Sequence, residues 1–221
     1  MKLLMEALTK FACGLLLVGL LIFLPAGTLR YTYGWLLMGV LFIPMLIAGF
    51  VMLFKSPAFL KKRLDAKEKQ GTQKGVVAFS GLMFIAGFVV AGLDFRFGWS
   101  AVPTWVVITA SALFLIAYAL YAEVMRENAY LSRTIKVEEG QTVVDTGMYG
   151  IVRHPMYAVT ILLFLMIPLV LGSWYALIAF AFYPAVIVVR LTDEEKLLTR
   201  ELSGYSQYKQ KVKYRLIPFI W

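Results

Sequence analysis

The tract Arg153-His154-Pro155-Met156-Tyr157 and, further along, Arg190 with the pair Glu194-Glu195 are the parts of this chain best equipped for chemistry. An imidazole, two guanidiniums, two carboxylates and a phenol can place a charged ligand, accept a proton or orient a nucleophile. Between the clusters lies an almost wholly apolar stretch, Ala158 to Val189. Charge beside membrane-embedded sequence is costly and is usually kept for a function. The pattern predicts a site built at a membrane edge.

Those clusters can meet only if the chain between them doubles back. Residues 157–189 as one helix would measure about 50 Å at 1.5 Å per residue, against a hydrocarbon core of about 30 Å. Pro168, Gly172 and Ser173 stand near the middle, where Pro removes a backbone donor and Gly relaxes the chain. A hairpin of two helices, roughly 156–171 and 174–192, is therefore expected, with both ends on one face. Each arm is short for a full crossing, which leaves open whether the turn is buried or the bilayer locally thinned. A single tilted span would put the clusters on opposite sides, and no joint site would exist.

The elements that carry this hairpin are membrane helices too. The chain is 61% hydrophobic, where soluble domains are roughly half apolar. Apolar runs at about 11–27, 33–54, 76–93 and 101–121 approach the ~20 residues that a crossing helix needs. The expected fold class is all-α: a polytopic integral membrane bundle of four spans, the C-terminal hairpin 156–192 and a cytoplasmic C-terminal helix. Residues 1–221 read as one membrane domain, with the spans in 1–121 and the site in 122–221. The polar segment 55–75 reads as a solvated loop without chemistry. Cys13, the only cysteine, sits within the first span, so no intrachain disulfide or thiolate metal cluster is expected. The first run ends in Leu24-Pro25-Ala26-Gly27, a poor signal-cleavage pattern, and reads as a retained span.

Basic residues set the orientation. If 157–189 returns to its starting side, all but two of the 22 Lys and Arg fall on one face, leaving Arg30 and Arg96 on the other. The positive-inside rule assigns the rich face, both termini included, to the cytoplasm; in a bacterium this would be the inner membrane. The net charge of +9 then serves topology and anionic headgroups, at ~1 kcal/mol per basic residue near the surface. Nucleic acid is not an expected partner, because the basic residues flank spans and form no base-reading module.

Singly, each site residue has a plainer explanation. Pro155 suits the first position of a helix. Arg190 and Glu194, at i and i+4, can form an ordinary surface pair worth about 0.2–0.5 kcal/mol. Tyr149 and Tyr157 can be interfacial aromatics. Glu194 and Glu195, being adjacent, cannot both face one pocket from a continuous helix, and Glu194 shares the face of Arg190. Dinucleotide and P-loop signatures are absent from the sequence. With His154 the only histidine, no multi-histidine metal site exists. No carboxylate is evident to orient His154 as in a Ser-His-Asp arrangement.

Together, residues 141–221 resemble the C-terminal region of the isoprenylcysteine carboxyl methyltransferase family, akin to membrane phospholipid methyltransferases. The resemblance runs through Gln141-Thr142-Val143-Val144, Thr146-Gly147-Met148-Tyr149 and Val152-Arg153-His154-Pro155-Met156-Tyr157. It continues through Arg190, Glu194-Glu195, Leu198, Gly204-Tyr205, Tyr208, Val212 and Ile217-Pro218. Leu24-Pro25-Ala26-Gly27-Thr28 and Gly34-Trp35 also resemble bacterial members. Two positions depart: Val159 stands where the family usually has Gly, and Met148 where Pro is frequent.

The resemblance implies S-adenosylmethionine as methyl donor, bound without a dinucleotide fold between the loop before the hairpin and the helix after it. Its implied contacts are Gln141, Val143, Val144, Tyr149, Arg153, His154, Pro155, Tyr157, Glu194 and Glu195. Backbone near 141–144 would read the adenine edge, Tyr149 and Tyr157 would wall the pocket, and a glutamate would take a ribose diol or an amino group. Arg153 and His154 would meet the ligand's carboxylate through charge-assisted bonds. Arg190 would place a carboxylate nucleophile, while His154 or a glutamate would serve as proton acceptor for an amine. The expected partners are a lipidic or prenylated substrate entering from the bilayer, and membrane lipids. Alternatives are phospholipid N-methylation, a steroid-reductase-like oxidoreductase and a non-catalytic membrane protein. No clean G-x-x-x-G run indicates an oligomeric state.

Overall fold

The apolar runs become helices because a chain in hydrocarbon must satisfy its backbone internally. The computed structural model describes residues 2–65, 71–131 and 137–221, and shows no strand among them. Its helices are α1 Lys2–Ala26, α2 Thr32–Lys55, α3 Pro57–Leu64, α4 Gly71–Phe97, α5 Thr104–Glu127, α6 Pro155–Val170, α7 Trp174–Phe180, α8 Tyr183–Glu201 and α9 Tyr205–Lys211. Helices α1, α2, α4 and α5 are long and apolar enough to cross a membrane, as is the stretch Trp174–Glu201 formed by α7 and α8. Leu16, Leu17, Leu20 and Leu24 of α1 are each more than half exposed, giving an apolar face suited to lipid.

The expected solvated loop at 55–75 is corrected in two places. Pro57 opens α3, where its missing N–H costs nothing. Helix α4 begins at Gly71, before the expected span start at 76, and its Gln73 is fully buried. Residues 66–70, with Lys67 and Lys69, and residues 132–136, with Arg133 and Lys136, lie outside the described residues.

The hairpin is present. Helix α6 ends at Val170, and Gly172 turns the chain at φ +70°, where a Cβ would sit 2.7 Å from Tyr33 Cδ2. Ser173 then caps α7 by accepting from the Ala176 N–H at 3.0 Å. The turn is anchored to two others. Tyr31 OH, after α1, donates to the Leu171 carbonyl. Asp94, 1% exposed, accepts from Ser173 Oγ at 2.5 Å, Ser100 N at 2.8 Å and Ser100 Oγ at 2.6 Å. The hairpin turn therefore lies level with the α1–α2 and α4–α5 turns, and α6, at 16 residues, is shorter than the four long helices beside it.

The second arm is not the uninterrupted helix 174–192 that was expected. It breaks at Ala181-Phe182, just before Pro184, whose ring cannot donate to the turn below and crowds the carbonyl four residues earlier. Val159, the departure from the family pattern, is 4% exposed in the main core alongside Leu163 and Ile167. Its extra volume is absorbed in helix packing.

Candidate functional site

The Arg153-His154-Pro155 tract is fixed from two sides. Pro155 opens α6, with His154 at the N-cap. The C-terminal tail runs alongside: Arg153 N donates to the Tyr214 carbonyl and His154 N to the Arg215 carbonyl, each at 2.9 Å. The Arg153 side chain is buried and committed to protein partners. Its Nε donates to Glu195 Oε1 at 2.7 Å, and its Nη1 to the carbonyls of Val212 and Lys213 at 2.8 and 2.7 Å.

Glu195 is the hub of this cluster. Oε1 also meets His154 Nε2 at 3.2 Å, and Oε2 accepts from Arg215 Nε at 3.0 Å. A carboxylate 5% exposed is tolerable here because three cationic or polar groups saturate it. The expectation that no carboxylate reaches His154 is thus corrected. That carboxylate is shared with two guanidiniums, and no serine among the described residues lines the cleft described next.

Glu194, one residue on, faces the other way. It accepts from Tyr157 OH and lines a cleft between residues 128–131 and 141–144, the start of α6, α8 and α9. The two adjacent glutamates divide between cleft and hub, as helical geometry requires. Arg190, one turn earlier, shares the cleft: its Nε donates to Tyr157 OH at 3.1 Å and its Nη1 to Gln73 Oε1 at 3.2 Å. Gln73 completes a bridge by donating to Asp193 Oδ2 at 3.0 Å. The His154 ring stacks on Tyr157 with centroids 5.7 Å apart.

The cleft is narrow and partly open to solvent, with a cavity volume of about 90 Å³. Gln141, Val143, Val144, Tyr149, Arg153, His154, Tyr157, Arg190 and Glu194 line it; Pro155 and Glu195 do not. The Gln141 side chain is used within its own loop, where Oε1 accepts from Glu138 N at 2.9 Å. The far end is apolar, with Val143 and Leu198 packed on a cluster of Leu202, Tyr205, Tyr208 and Val212. Tyr208 OH donates to the Tyr149 carbonyl at 2.7 Å, joining α9 to the loop before the hairpin. Burial pushes the Tyr149 and Tyr208 hydroxyls well above the ordinary phenol range, so both remain protonated. The Tyr205 hydroxyl is buried without a hydrogen-bond partner.

Sequence reasoning missed Gln73, Asp193 and Arg215. Gln73 carried one signal, a polar residue at the mouth of an apolar run; Arg215 carried none that separated it from the other tail cations. Among the described residues, no group of three or more His, Cys, Asp or Glu is disposed to hold a metal ion.

Residues 106–200 match the isoprenylcysteine carboxyl methyltransferase (ICMT) family. The matched stretch runs from α5 to the end of α8, and so holds Arg153, His154, Tyr157, Arg190, Glu194 and Glu195. The chain is also similar to the uncharacterized protein YpbQ of Bacillus subtilis, at 31% identity over 96 residues, covering 43% of this chain and 57% of that protein. It is similar to the Delta(14)-sterol reductase TM7SF2 of Mus musculus, at 30% identity over 91 residues, covering 40% of this chain and 22% of the reductase. The chain spans less than two thirds of the length of either relative.

Proposed function

We propose, from the membership of residues 106–200 in the isoprenylcysteine carboxyl methyltransferase family, that this chain is an S-adenosylmethionine-dependent integral membrane methyltransferase. Its acceptor is the carboxyl group of an isoprenylcysteine-like or other lipidic acid. The observation that carries this reading is the convergence of Arg190, Tyr157 and Glu194 in one cleft at the end of an apolar hairpin.

The residues present suit that cofactor. Glu194 offers a carboxylate to a ribose diol or an amino group. The Val143–Leu198 end offers apolar surface to a purine, and backbone at 141–144 offers donors and acceptors to its edge. Tyr149 and Tyr157 wall the cleft. Arg153, expected at the ligand's carboxylate, instead supports the cleft through Glu195 and the tail carbonyls. The buried, unpartnered Tyr205 hydroxyl marks a place where a polar ligand atom is wanted.

When bound, the cofactor supplies a methyl group already activated on a sulfonium. The chain's own task is alignment and the exclusion of water from the nucleophile. A carboxylate nucleophile needs no general base but needs a cation to place it. Arg190 is that cation, planted by Tyr157 and Gln73. The apolar walls from Met156 to Leu198 admit a lipid tail from the bilayer side. For an amine nucleophile, as in phospholipid N-methylation, His154 is the proton acceptor at hand. The positive-inside rule puts this site on the cytoplasmic face, with both termini.

The likeness to a sterol reductase favours a second reading, a nicotinamide-dependent oxidoreductase using the same cleft. Calorimetry on detergent-purified protein separates them. S-adenosylhomocysteine is expected to bind at micromolar levels and to lose affinity in Glu194→Ala and His154→Ala. Binding of NADPH with none of S-adenosylhomocysteine would favour the reductase, and binding of neither a non-catalytic protein.

A further inference from the structure

Among the described residues, the Tyr205 hydroxyl is a buried polar group of the cleft that no protein hydrogen bond satisfies. Tyr205 opens α9 at 3% exposure and lines the cleft. Its oxygen is shielded from water and has no hydrogen-bond partner. Other buried tyrosines here are satisfied: Tyr31 by the Leu171 carbonyl, Tyr157 by Glu194, Tyr208 by the Tyr149 carbonyl. Buried hydroxyls are rarely left unpaired, because desolvation without a bond is costly. A phenylalanine would fill the same space without that cost. Tyr205 also lies beyond residues 106–200, outside the stretch that the family match covers.

Resting on the methyltransferase reading, we propose that the Tyr205 hydroxyl is a ligand contact. It donates to a ribose hydroxyl of the bound nucleoside, whose own proton goes to the Glu194 carboxylate. A sugar hydroxyl is both donor and acceptor, so it fits between a carboxylate, which only accepts when ionised, and a phenol, which donates. Burial first, and then the carboxylates of Glu195 and Glu194, hold the Tyr205 hydroxyl well above its ordinary range, which keeps it protonated and a donor. The same two carboxylates disfavour an anionic ligand group here. A neutral sugar hydroxyl meets both demands, and the apolar cluster of Val143, Leu198 and Leu202 stands beside it for the purine.

The test is Tyr205→Phe in the full chain in detergent, with affinity read by calorimetry and by competition, and unfolding read without ligand. The variant is expected to bind S-adenosylhomocysteine and adenosine about tenfold more weakly, the effect of one hydrogen bond to a group otherwise left unpaired. Its melting temperature without ligand is expected not to fall, since no bond within the protein is removed. With 2′,3′-dideoxyadenosine, which lacks the 2′- and 3′-hydroxyls of the ribose diol, wild type and variant should bind alike. Unchanged affinity for S-adenosylhomocysteine, a lowered melting temperature, or a penalty that persists with 2′,3′-dideoxyadenosine would each overturn the assignment. Failure of the wild type itself to bind S-adenosylhomocysteine would overturn the methyltransferase reading instead.

Discussion

Gln73 of α4 and Arg190 of α8, 117 positions apart in the chain, meet at 3.2 Å between Gln73 Oε1 and Arg190 Nη1. The amide is fully buried, with a guanidinium on its carbonyl side and the Asp193 carboxylate on its amino side. Partners of opposite sign fix which end of the amide faces which, since only the oxygen accepts and only the nitrogen donates. The guanidinium is thereby held from outside the matched family region, while Tyr157 OH holds its Nε.

Gln73→Leu removes both amide contacts but touches no ligand. Turnover is expected to fall at least tenfold while affinity for S-adenosylhomocysteine stays within twofold, about the loss of one bond to a charged group. Equal losses in both would show that Gln73 supports the whole cleft rather than Arg190.

Arg190→Ala is expected to abolish methyl transfer while cofactor binding largely persists. Arg190→Lys should not restore it, because an ammonium cannot hold Tyr157 and Gln73 in the plane that a guanidinium fork provides. Single-turnover assays alongside binding titrations check both; unchanged turnover in the alanine variant would remove Arg190 from the mechanism.

The adjacent glutamates should separate cleanly. Glu195→Ala leaves Arg153 buried without its carboxylate and is expected to cost about 3–5 kcal/mol in reversible unfolding. Glu194→Gln keeps the shape of a side chain that meets the cleft, and is expected to cost about 1 kcal/mol or less. Its effect should fall instead on cofactor affinity.

Val159→Gly restores the family's usual residue but opens space in the core of α6. A loss of about 2–3 kcal/mol is expected from the missing packing and the glycine in mid-helix. Affinity for S-adenosylhomocysteine should be unaffected, since Val159 does not line the cleft. A marked gain in affinity would place Val159 at the pocket after all.

The hairpin was legible because its signals are local. Pro168, Gly172 and Ser173 sit where the chain must turn, and the polar clusters sit at its ends. The inward choice of Glu194 was legible for the same reason, since the i,i+4 relation to Arg190 is helical geometry alone. The role of Gln73 was not legible beyond its polarity at the mouth of an apolar run, because Arg190 and Asp193 approach it from over a hundred residues away. The role of Glu195 was hidden likewise: Arg153, His154 and Arg215 reach it from the loop before α6 and from the tail, and only the fold brings them together. The break before α8 carried a readable signal in Pro184, whose effect is set by the carbonyl four residues before it.

Methyl transfer to a lipid carboxyl is tested most directly by incubating membranes containing the protein with methyl-labelled S-adenosylmethionine and treating the lipid and protein fractions with alkali. A carboxyl methyl ester releases its label as volatile methanol, and that release is expected with the wild type and absent with Arg190→Ala. Label that resists alkali on an amine headgroup, or no label above the Arg190→Ala control, would contradict carboxyl methylation.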